Sequence, residues 1–296
     1  MSLDGVFDVV VVGSANLDLV ARTPRLPKPG ETVTGSQYFE SCGGKGANQA
    51  IAASRAGART AFIGAIGTDH AGETLRAAFT SNKVNTTALQ TVGVPTGRAL
   101  IGVSDDGENS IIVVPGANHA ITVGDIARNT KVISSARVLL CQLEVPVEVV
   151  QRAFELAGKD TIRILNPAPA ATLNSELLAL VDVIIPNEHE LKLLGGAETL
   201  LNHGIKTIIV TQGAQGATLI TQDAQTKIQP YVVVPVDSTG AGDAFCAMIA
   251  ARLAIGESME KALKAAVVSG ALTTLVAGAV PSLPLWSEVS SKLESM

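Results

Sequence analysis

Asp237-Ser238-Thr239-Gly240-Ala241-Gly242-Asp243 is the stretch on which the reading of this chain turns. Tyr231 to Val236, just before it, are β-rich, and Ala244 to Ile255, just after it, form an apolar helical stretch. Two glycines one residue apart permit a tight turn and a close approach of backbone to ligand. The amides of Gly240, Ala241 and Gly242 then lie at a helix N-terminus, where unpaired N–H groups and the helix dipole favour an anion. The Asp243 carboxylate stands in place to act as a base beside that anion. An anion hole with a base at its lip suits phosphoryl transfer. Taken alone, the same residues read equally well as a glycine-rich β–α turn with an acidic cap.

Composition narrows the field. Of 296 residues, 47% are hydrophobic and 17% charged, enough for a large buried core and too apolar for disorder. Aromatic residues are only 3%, so the core must be built from Ala, Val, Leu and Ile, as suits a parallel sheet with helices on both faces. A net charge of -5 without a basic cluster argues against nucleic acid as a partner, though not against a nucleotide. Cys42, Cys141 and Cys246 are far apart in the chain and odd in number, which favours a reducing compartment over a disulfide framework. Met1 to Asp4 lack the regions of a signal peptide. Ala265 to Val280 carries no charge, but it is too short and too rich in small residues for a membrane span. A soluble, cytoplasmic protein without a membrane partner is expected.

The chain alternates strand and helix. Val9–Val12, Thr60–Ile66, Val138–Cys141, Ile162–Leu165, Val183–Ile185 and Thr207–Thr211 read as strands. Ala47–Ala56, His70–Ser81 and Val147–Gly158 read as helices. Such alternation predicts a parallel sheet with right-handed crossovers. Two further β-runs, Ala217–Thr221 and Lys227–Val233, precede the anion motif, and the tail from Ala244 is helical. The rhythm breaks twice. Leu19 to Glu40 is interrupted by Pro24, Pro27 and Pro29 and then reads as extended chain. Ala99–Ser104 and Ser110–Val114 flank a glycine-containing loop and read as a hairpin. Together these predict a small β-structure outside the main sheet.

In an open α/β sheet, ligands bind beyond the carboxyl ends of the strands. Gly13-Asn16-Asp18, Gly43-Gly44, Glu144, Asn166, Asn187, Thr211-Gly213 and Gly240-Asp243 all lie at predicted strand or extended-chain ends. Asn16 and Asp18 suit hydroxyl recognition, and they equally suit an Asx turn. Lys45 opens a predicted helix, where a cation opposes the dipole, a placement that leans towards function. Glu144 reads as either a polar cap or a hydroxyl acceptor. Cys42 is a reactive thiol or, better, a half-buried filler, since nothing nearby in sequence activates it. There is no G-x-x-x-x-G-K-[ST], no G-x-G-x-x-G after Gly13 and no G-x-S-x-G elbow. His70, His119, His189 and His203 lack metal-ligand spacing.

A second motif, Gly43-Gly44-Lys45-Gly46-Ala47-Asn48, stands well upstream of Gly240 to Asp243. In this order the two motifs make the chain resemble the ribokinase-like (PfkB) carbohydrate kinases. The resemblance runs nearly end to end, through Gly13 to Asp18, Pro29 to Val33, Gln142 to Glu144, Asn166 to Ala170 and Pro186 to Glu188. It implies one kinase domain over residues 1–296, a three-layer α/β/α sandwich with a mostly parallel central sheet and a small β-sheet lid. The lid would comprise about 18–42 and 95–115, and pairing of two lids would give a homodimer. The activity implied is ATP-dependent phosphorylation of D-ribose at O5, giving D-ribose 5-phosphate and ADP. A nucleoside kinase or another sugar kinase is the alternative, and a sugar-binding sensor without catalysis is a more distant one.

By the same resemblance Asn16, Asp18, Gly43, Gly44, Lys45, Asn48 and Glu144 bind sugar hydroxyls, and Asp243 is the base with Gly240, Ala241 and Gly242 as its anion hole. Asn187 and Glu190 organise Mg²⁺ and phosphate through water. Thr211, Gly213, Gly216 and Gly242 bind ATP. A monovalent cation, K⁺, is held by Asp237, Thr239, Thr273, Val276, Gly278 and Ser282. Two departures stand out. The segment near Gly195-Gly196 is shorter than in typical members, and Val276 replaces a residue that is often basic.

Overall fold

The computed structural model describes residues 6–294. The Met1 to Asp4 segment read above therefore lies outside the described residues. In chain order, β1 (Val9–Val12) leads to β2 (Asn16–Thr23) and β3 (Gln37–Gly43). Next come α1 (Lys45–Arg55), β4 (Thr60–Ile66), α2 (His70–Ser81) and β5 (Leu89–Thr91). β6 (Gly97–Ser104) and β7 (Asn109–Val114) form the hairpin. α3 (Val123–Arg128), α4 (Thr130–Ser134), β8 (Val138–Cys141), α5 (Val147–Glu155), β9 (Ile162–Leu165), α6 (Ser175–Leu178) and β10 (Val183–Ile184) follow. Then come α7 (Glu188–Leu193), α8 (Ala197–Asn202), β11 (Thr207–Thr211), β12 (Ala217–Ile220) and β13 (Gln225–Ile228). The chain closes with α9 (Ala241–Ala254), α10 (Met259–Thr273), α11 (Ala279–Ser282) and α12 (Trp286–Leu293).

Nine strands of the described residues form one sheet, in the order β13-β12-β11-β10-β9-β8-β1-β4-β5. From β11 to β5 all neighbours are parallel, and β12 and β13 add an antiparallel edge. β1 lies inside the sheet, and its four valines are fully buried. Successive side chains of a strand point to opposite faces. Val9 and Val11 accordingly join one core with α1, α2, α9 and α10, while Val10 and Val12 join the other with α3, α5 and α6. The result is the three-layer α/β/α sandwich expected.

Small residues let the layers close. α9 is buried almost all round, with Ala244, Ala247, Ala250 and Ala251 fully inaccessible. Methyl-sized side chains allow α1, α10 and the sheet to approach this helix together. Phe62 and Phe79 stack with centroids 4.6 Å apart, a pair worth about 0.5–1.5 kcal/mol beyond area burial. No helix of the described residues is long and apolar enough to cross a membrane.

The second sheet has the order β3-β2-β6-β7, with β2 and β6 parallel and the outer pairs antiparallel. The small β-structure outside the main sheet is thus present. One expectation is corrected here. Asn16 and Asp18 do not sit in a turn after β1; they open β2, a strand of the small sheet that sequence reading missed. Its Asn16-Leu17-Asp18-Leu19-Val20 pattern alternates, but the prolines that follow masked it. A second correction concerns Tyr231 to Val236, and with it the last part of the Lys227–Val233 run. These residues form no strand, and β13 ends at Ile228. Pro230 and Pro235 lack an N–H for a ladder. The segment is extended all the same, with Val232 and Val234 each 86% exposed while Tyr231 and Val233 turn inwards.

Candidate active site

The N-terminus of α1 is where the first half of the site is assembled. Gly44 caps it with φ +86°, a left-handed conformation open to glycine without strain. The first helical amides cannot pair within the helix. Lys45 N–H donates to Glu144 Oε2 at 3.0 Å, Gly46 N–H to Ser14 Oγ at 3.3 Å and Ala47 N–H to the Ser14 carbonyl at 2.8 Å. Ser14 Oγ–H in turn donates to Glu144 Oε2. Glu144 is therefore a cap, reaching the helix across 99 positions of sequence. None of the described residues donates to its Oε1.

β2 supplies the next two groups. Asn16 is buried, and its Oδ1 accepts from Asn118 Nδ2 at 2.7 Å. Asn118 is fixed in turn, because its Oδ1 accepts from Ala15 N–H at 2.8 Å. The orientation of Asn16 follows, with its own amide nitrogen free to donate elsewhere. The Asp18 carboxylate lies over Gly43. Its pKa is pushed up to about 7, first by burial and then by Glu144 and Asp243. Burial, and then Asp18, push the Cys42 thiol up to about 11, so it is no activated thiolate.

Asp243 is 8% exposed and sits in the first turn of α9. Its Oδ2 accepts from Asn48 Nδ2 and its Oδ1 from Gln49 Nε2, both at 2.9 Å. Burial raises its pKa, while Lys45, Asn48 and Gln49 pull it back and Glu144 adds to the rise. Lys45 stays charged. Burial disfavours its ammonium, but Asp243, Glu144 and Glu190 together hold its pKa above the ordinary value. Asn48 Oδ1 is buried and unpartnered, an acceptor without a donor at the same place. The structure thus brings Asn16, Asp18, Gly43, Gly44, Lys45, Asn48, Glu144 and Asp243 into one cluster.

Gly240 caps α9 in a left-handed conformation, φ +80°. The three predicted amides are not equivalent. Ala241 N–H donates back to Ser238 O at 3.2 Å within the turn, whereas the N–H groups of Gly240 and Gly242 have no partner among the described residues. Ser238, Ala241 and Gly242 of this turn border a cavity of about 340 Å³. Thr211, Gly213, Gly216 and Gly242 line it, so four residues chosen from sequence share one cleft. Phe245, Val267, Ala271 and Tyr231 give it an apolar wall. Sequence reading missed that wall, because its residues look like ordinary helix core.

Asn187 and Glu190 form a reciprocal cap on α7. Asn187 Oδ1 accepts from Glu190 N–H, and Glu190 Oε2 accepts from Asn187 N–H, both at 2.8 Å. Burial raises the Glu190 pKa, against its hydrogen bond from Asn187 and the charge of Lys45. A carboxylate so engaged suits a metal held through water rather than directly. His189, between them, is exposed. Gly195 and Gly196, both with positive φ, join the short helices α7 and α8.

Asp237 ties two loops together. Oδ1 accepts from Thr239 N–H at 2.9 Å and from Thr239 Oγ1 at 2.7 Å, while Oδ2 accepts from Gly278 N–H at 2.8 Å. These bonds outweigh burial and hold its pKa below the ordinary value. Val236 and Asp237 N–H both donate to the Thr274 carbonyl, at 2.7 and 3.1 Å. Thr273 and Ser282 are buried beside this junction, and Val276 is 48% exposed. The donor set is one carboxylate, hydroxyls and carbonyls, which fits a weakly hydrated monovalent cation.

A buried carboxylate between a polar cluster and a helix N-terminus that borders a cleft is the arrangement of an α/β phosphotransferase. The chain matches the model of the pfkB family carbohydrate kinases over residues 6–286, and it belongs to that family. It is 37% identical to a ribokinase of Haemophilus influenzae, over 97% of this chain and 98% of that one. A ribokinase structure from Thermotoga maritima superposes with a TM-score of 0.90 at 32% identity, covering 97% of this chain and 99% of its own. An Arabidopsis thaliana ribokinase complexed with ribose and ATP gives 0.86 at 31% identity, covering 97% and 98%. Gln49, Asn118 and Ser14 are site residues that sequence reading passed over. The adjacent amides Asn48-Gln49 inside the alanine-rich α1 were the available signal.

Proposed function

We propose that this protein transfers a phosphoryl group from ATP to O5 of D-ribose, giving D-ribose 5-phosphate and ADP. The observation that carries the reading is the position of Asp243, bonded to the sugar-type cluster through Asn48 and next in the chain to Gly242, which lines the cleft. Full-length identity to ribokinases supports the choice of sugar.

Asn16, Asp18, Asn48, Lys45, Glu144 and the backbone of Gly43 and Gly44 hold the sugar hydroxyls. Asp243 takes the proton of the attacking hydroxyl. A bond forms from O5 to phosphorus as the bond from phosphorus to the ADP oxygen breaks. The amides of Gly240 and Gly242, with Ala241 shaping the turn, stabilise the charge on the transferred group. The nucleotide occupies the cleft along Thr211, Gly213 and Gly216. Asn187 and Glu190 would hold Mg²⁺ through water, and it would neutralise phosphate charge. Asp237, Thr239, Thr273, Val276, Gly278 and Ser282 would hold K⁺, which would order the turn at Thr239 and Gly240.

The small sheet, with its connections over about 18–42 and 95–115, acts as a lid that keeps water from the phosphoryl group. This sheet is exposed along the whole length of its edge strand β7. Leu100, Ile111, Ile112, Val113 and Val114 are 44–62% exposed on it, a surface that suits a homodimer through two lids. Cys42, Cys141 and Cys246 are free thiols, as suits the cytoplasm. The deciding experiment is a coupled ADP-release assay across ribose, deoxyribose, fructose, adenosine and cytidine. Ribose as the best substrate supports the reading, and preference for a nucleoside overturns it.

A further inference from the structure

Behind Asp243 runs a line of buried side-chain amides that the reaction as written does not use. Asn166 Nδ2 donates to the Ile185 carbonyl at 3.0 Å. A carbonyl can only accept, so Asn166 must present its Oδ1 to the other side. That oxygen accepts from Gln49 Nε2 at 3.1 Å. Gln49 therefore turns its –NH₂ towards Asn166 and Asp243, and its two hydrogens meet Asn166 Oδ1 and Asp243 Oδ1. Its own Oε1 accepts from Gln142 Nε2. Gln49 and Gln142 are both fully buried. Gln142 is admitted only because residue 13 is glycine: a β-carbon on Gly13 would lie 2.0 Å from Gln142 Oε1. Every amide in the line has one allowed orientation, set by a main-chain carbonyl at its end.

We infer that Gln49 is a positioning residue for Asp243, reserving Oδ1 as the anchored oxygen and leaving Oδ2 to take the proton of the sugar hydroxyl. Each oxygen has one amide donor, but the donor to Oδ1, Gln49, is itself locked into the buried line, whereas the donor to Oδ2, Asn48, belongs to the sugar-type cluster, so Oδ2 is the oxygen that meets the hydroxyl. The inference rests on the kinase reading above. Gln49 donates to the ionised carboxylate and so favours the form that acts as a base. The charged and titratable groups around Asp243 are Lys45 on α1, Asp18 on β2, Glu144 after β8, Glu190 on α7, and Cys246 on its own helix. Burial of the carboxylate and the negative charge of Glu144 oppose ionisation; Lys45, Asn48 and Gln49 favour it. Removing Gln49 takes away one of the three.

The test uses the full-length enzyme with Gln49→Met, which keeps length and loses the donor. Gln142→Met is the second variant, since it frees the far end of Gln49 without touching Asp243. The pH profile of kcat with ribose is measured for each, with ribose affinity by calorimetry. We expect the acid limb to move to higher pH, by about one unit in Gln49→Met and less in Gln142→Met. On the acid limb kcat falls by up to about tenfold and recovers at higher pH, while ribose affinity changes little. A fall in kcat that is uniform across pH, or an unmoved acid limb, overturns the inference. Should the wild-type protein not phosphorylate ribose, the kinase reading fails separately. The ¹³C carboxyl resonance of Asp243, assigned with Asp243→Asn, still decides the matter without substrate: it must titrate higher in Gln49→Met than in wild type.

Discussion

The Asp18 carboxylate fills the space that a side chain at Gly43 would need. A β-carbon on Gly43 would lie 2.1 Å from Asp18 Oδ2 and 2.5 Å from Oδ1. The two residues belong to neighbouring antiparallel strands, β2 and β3, and a side chain at 43 could be admitted only by pushing the Asp18 carboxylate aside. Gly43 is thus required by the carboxylate beside it as much as by the turn that follows.

Gly43→Ala is expected to displace Asp18 and weaken sugar binding. A hydrogen bond to a charged group is worth about 1.5–3 kcal/mol. The KM for ribose should therefore rise about 10–100-fold, with that for ATP nearly unchanged. Steady-state kinetics with each substrate varied will check it. Equal effects on both KM values would point to general disruption of the α1 terminus instead.

Asp18 also carries a pH signature. Its pKa is raised from 3.8 to about 7 in the folded chain. Its contribution to stability is thus present below the unfolded value and is lost as pH rises through about 7. Asp18→Asn should raise the Tm of the ligand-free protein by a few degrees at pH 8, and by less at pH 5. The ionised carboxylate is the stronger acceptor for sugar hydroxyls, so the KM for ribose should climb as pH falls below about 7. Scanning calorimetry at the two pH values, with kinetics alongside, tests both. A variant with lower Tm at pH 8 would contradict the assignment.

Asp243→Asn keeps the shape of the side chain and removes the proton acceptor. Loss of a general base costs typically about 10²–10⁴-fold in rate. We expect kcat to fall within that range while ribose still binds by calorimetry. A variant with most of the wild-type kcat would remove Asp243 from the mechanism.

The junction at Asp237 predicts a monovalent-cation response. K⁺ should raise kcat several-fold over a Tris or choline background at saturating Mg²⁺ and ATP. Asp237→Ala should abolish the response, because its carboxylate joins Thr239 to Gly278. Equal rates with and without K⁺ in ion-free enzyme would dismiss the cation site and leave the kinase assignment standing.

Much of the fold was readable from pattern. The valine run of β1, the helix over His70–Ser81 and the strand over Val138–Cys141 depend on local periodicity, which burial in a sandwich reinforces. β2 was missed because its role depends on a partner, β6, whose Gly97 lies 81 positions further on from Asn16. Tyr231 to Val236 misled for the opposite reason. Its alternation is real, but the inward side chains line a cleft and no strand pairs with the backbone. Glu144 could not be resolved from sequence, since cap and hydroxyl acceptor demand the same residue, and only the approach of α1 showed the cap.

The sequence by itself determined the alternation of strand and helix, the apolar core of small side chains, and two glycine-rich helix starts with an acid beside one of them. Those features are local: each follows from residues within a turn or a strand of one another. The tertiary structure alone decided that Asn48 and Gln49 converge on Asp243, with Asn166 orienting Gln49, which oxygen of that carboxylate each of the two amides engages, and that Lys45 is held among three acids. Hydrogen-bond direction and burial arise only when distant segments close around the same few atoms, and no spacing along the chain encodes them.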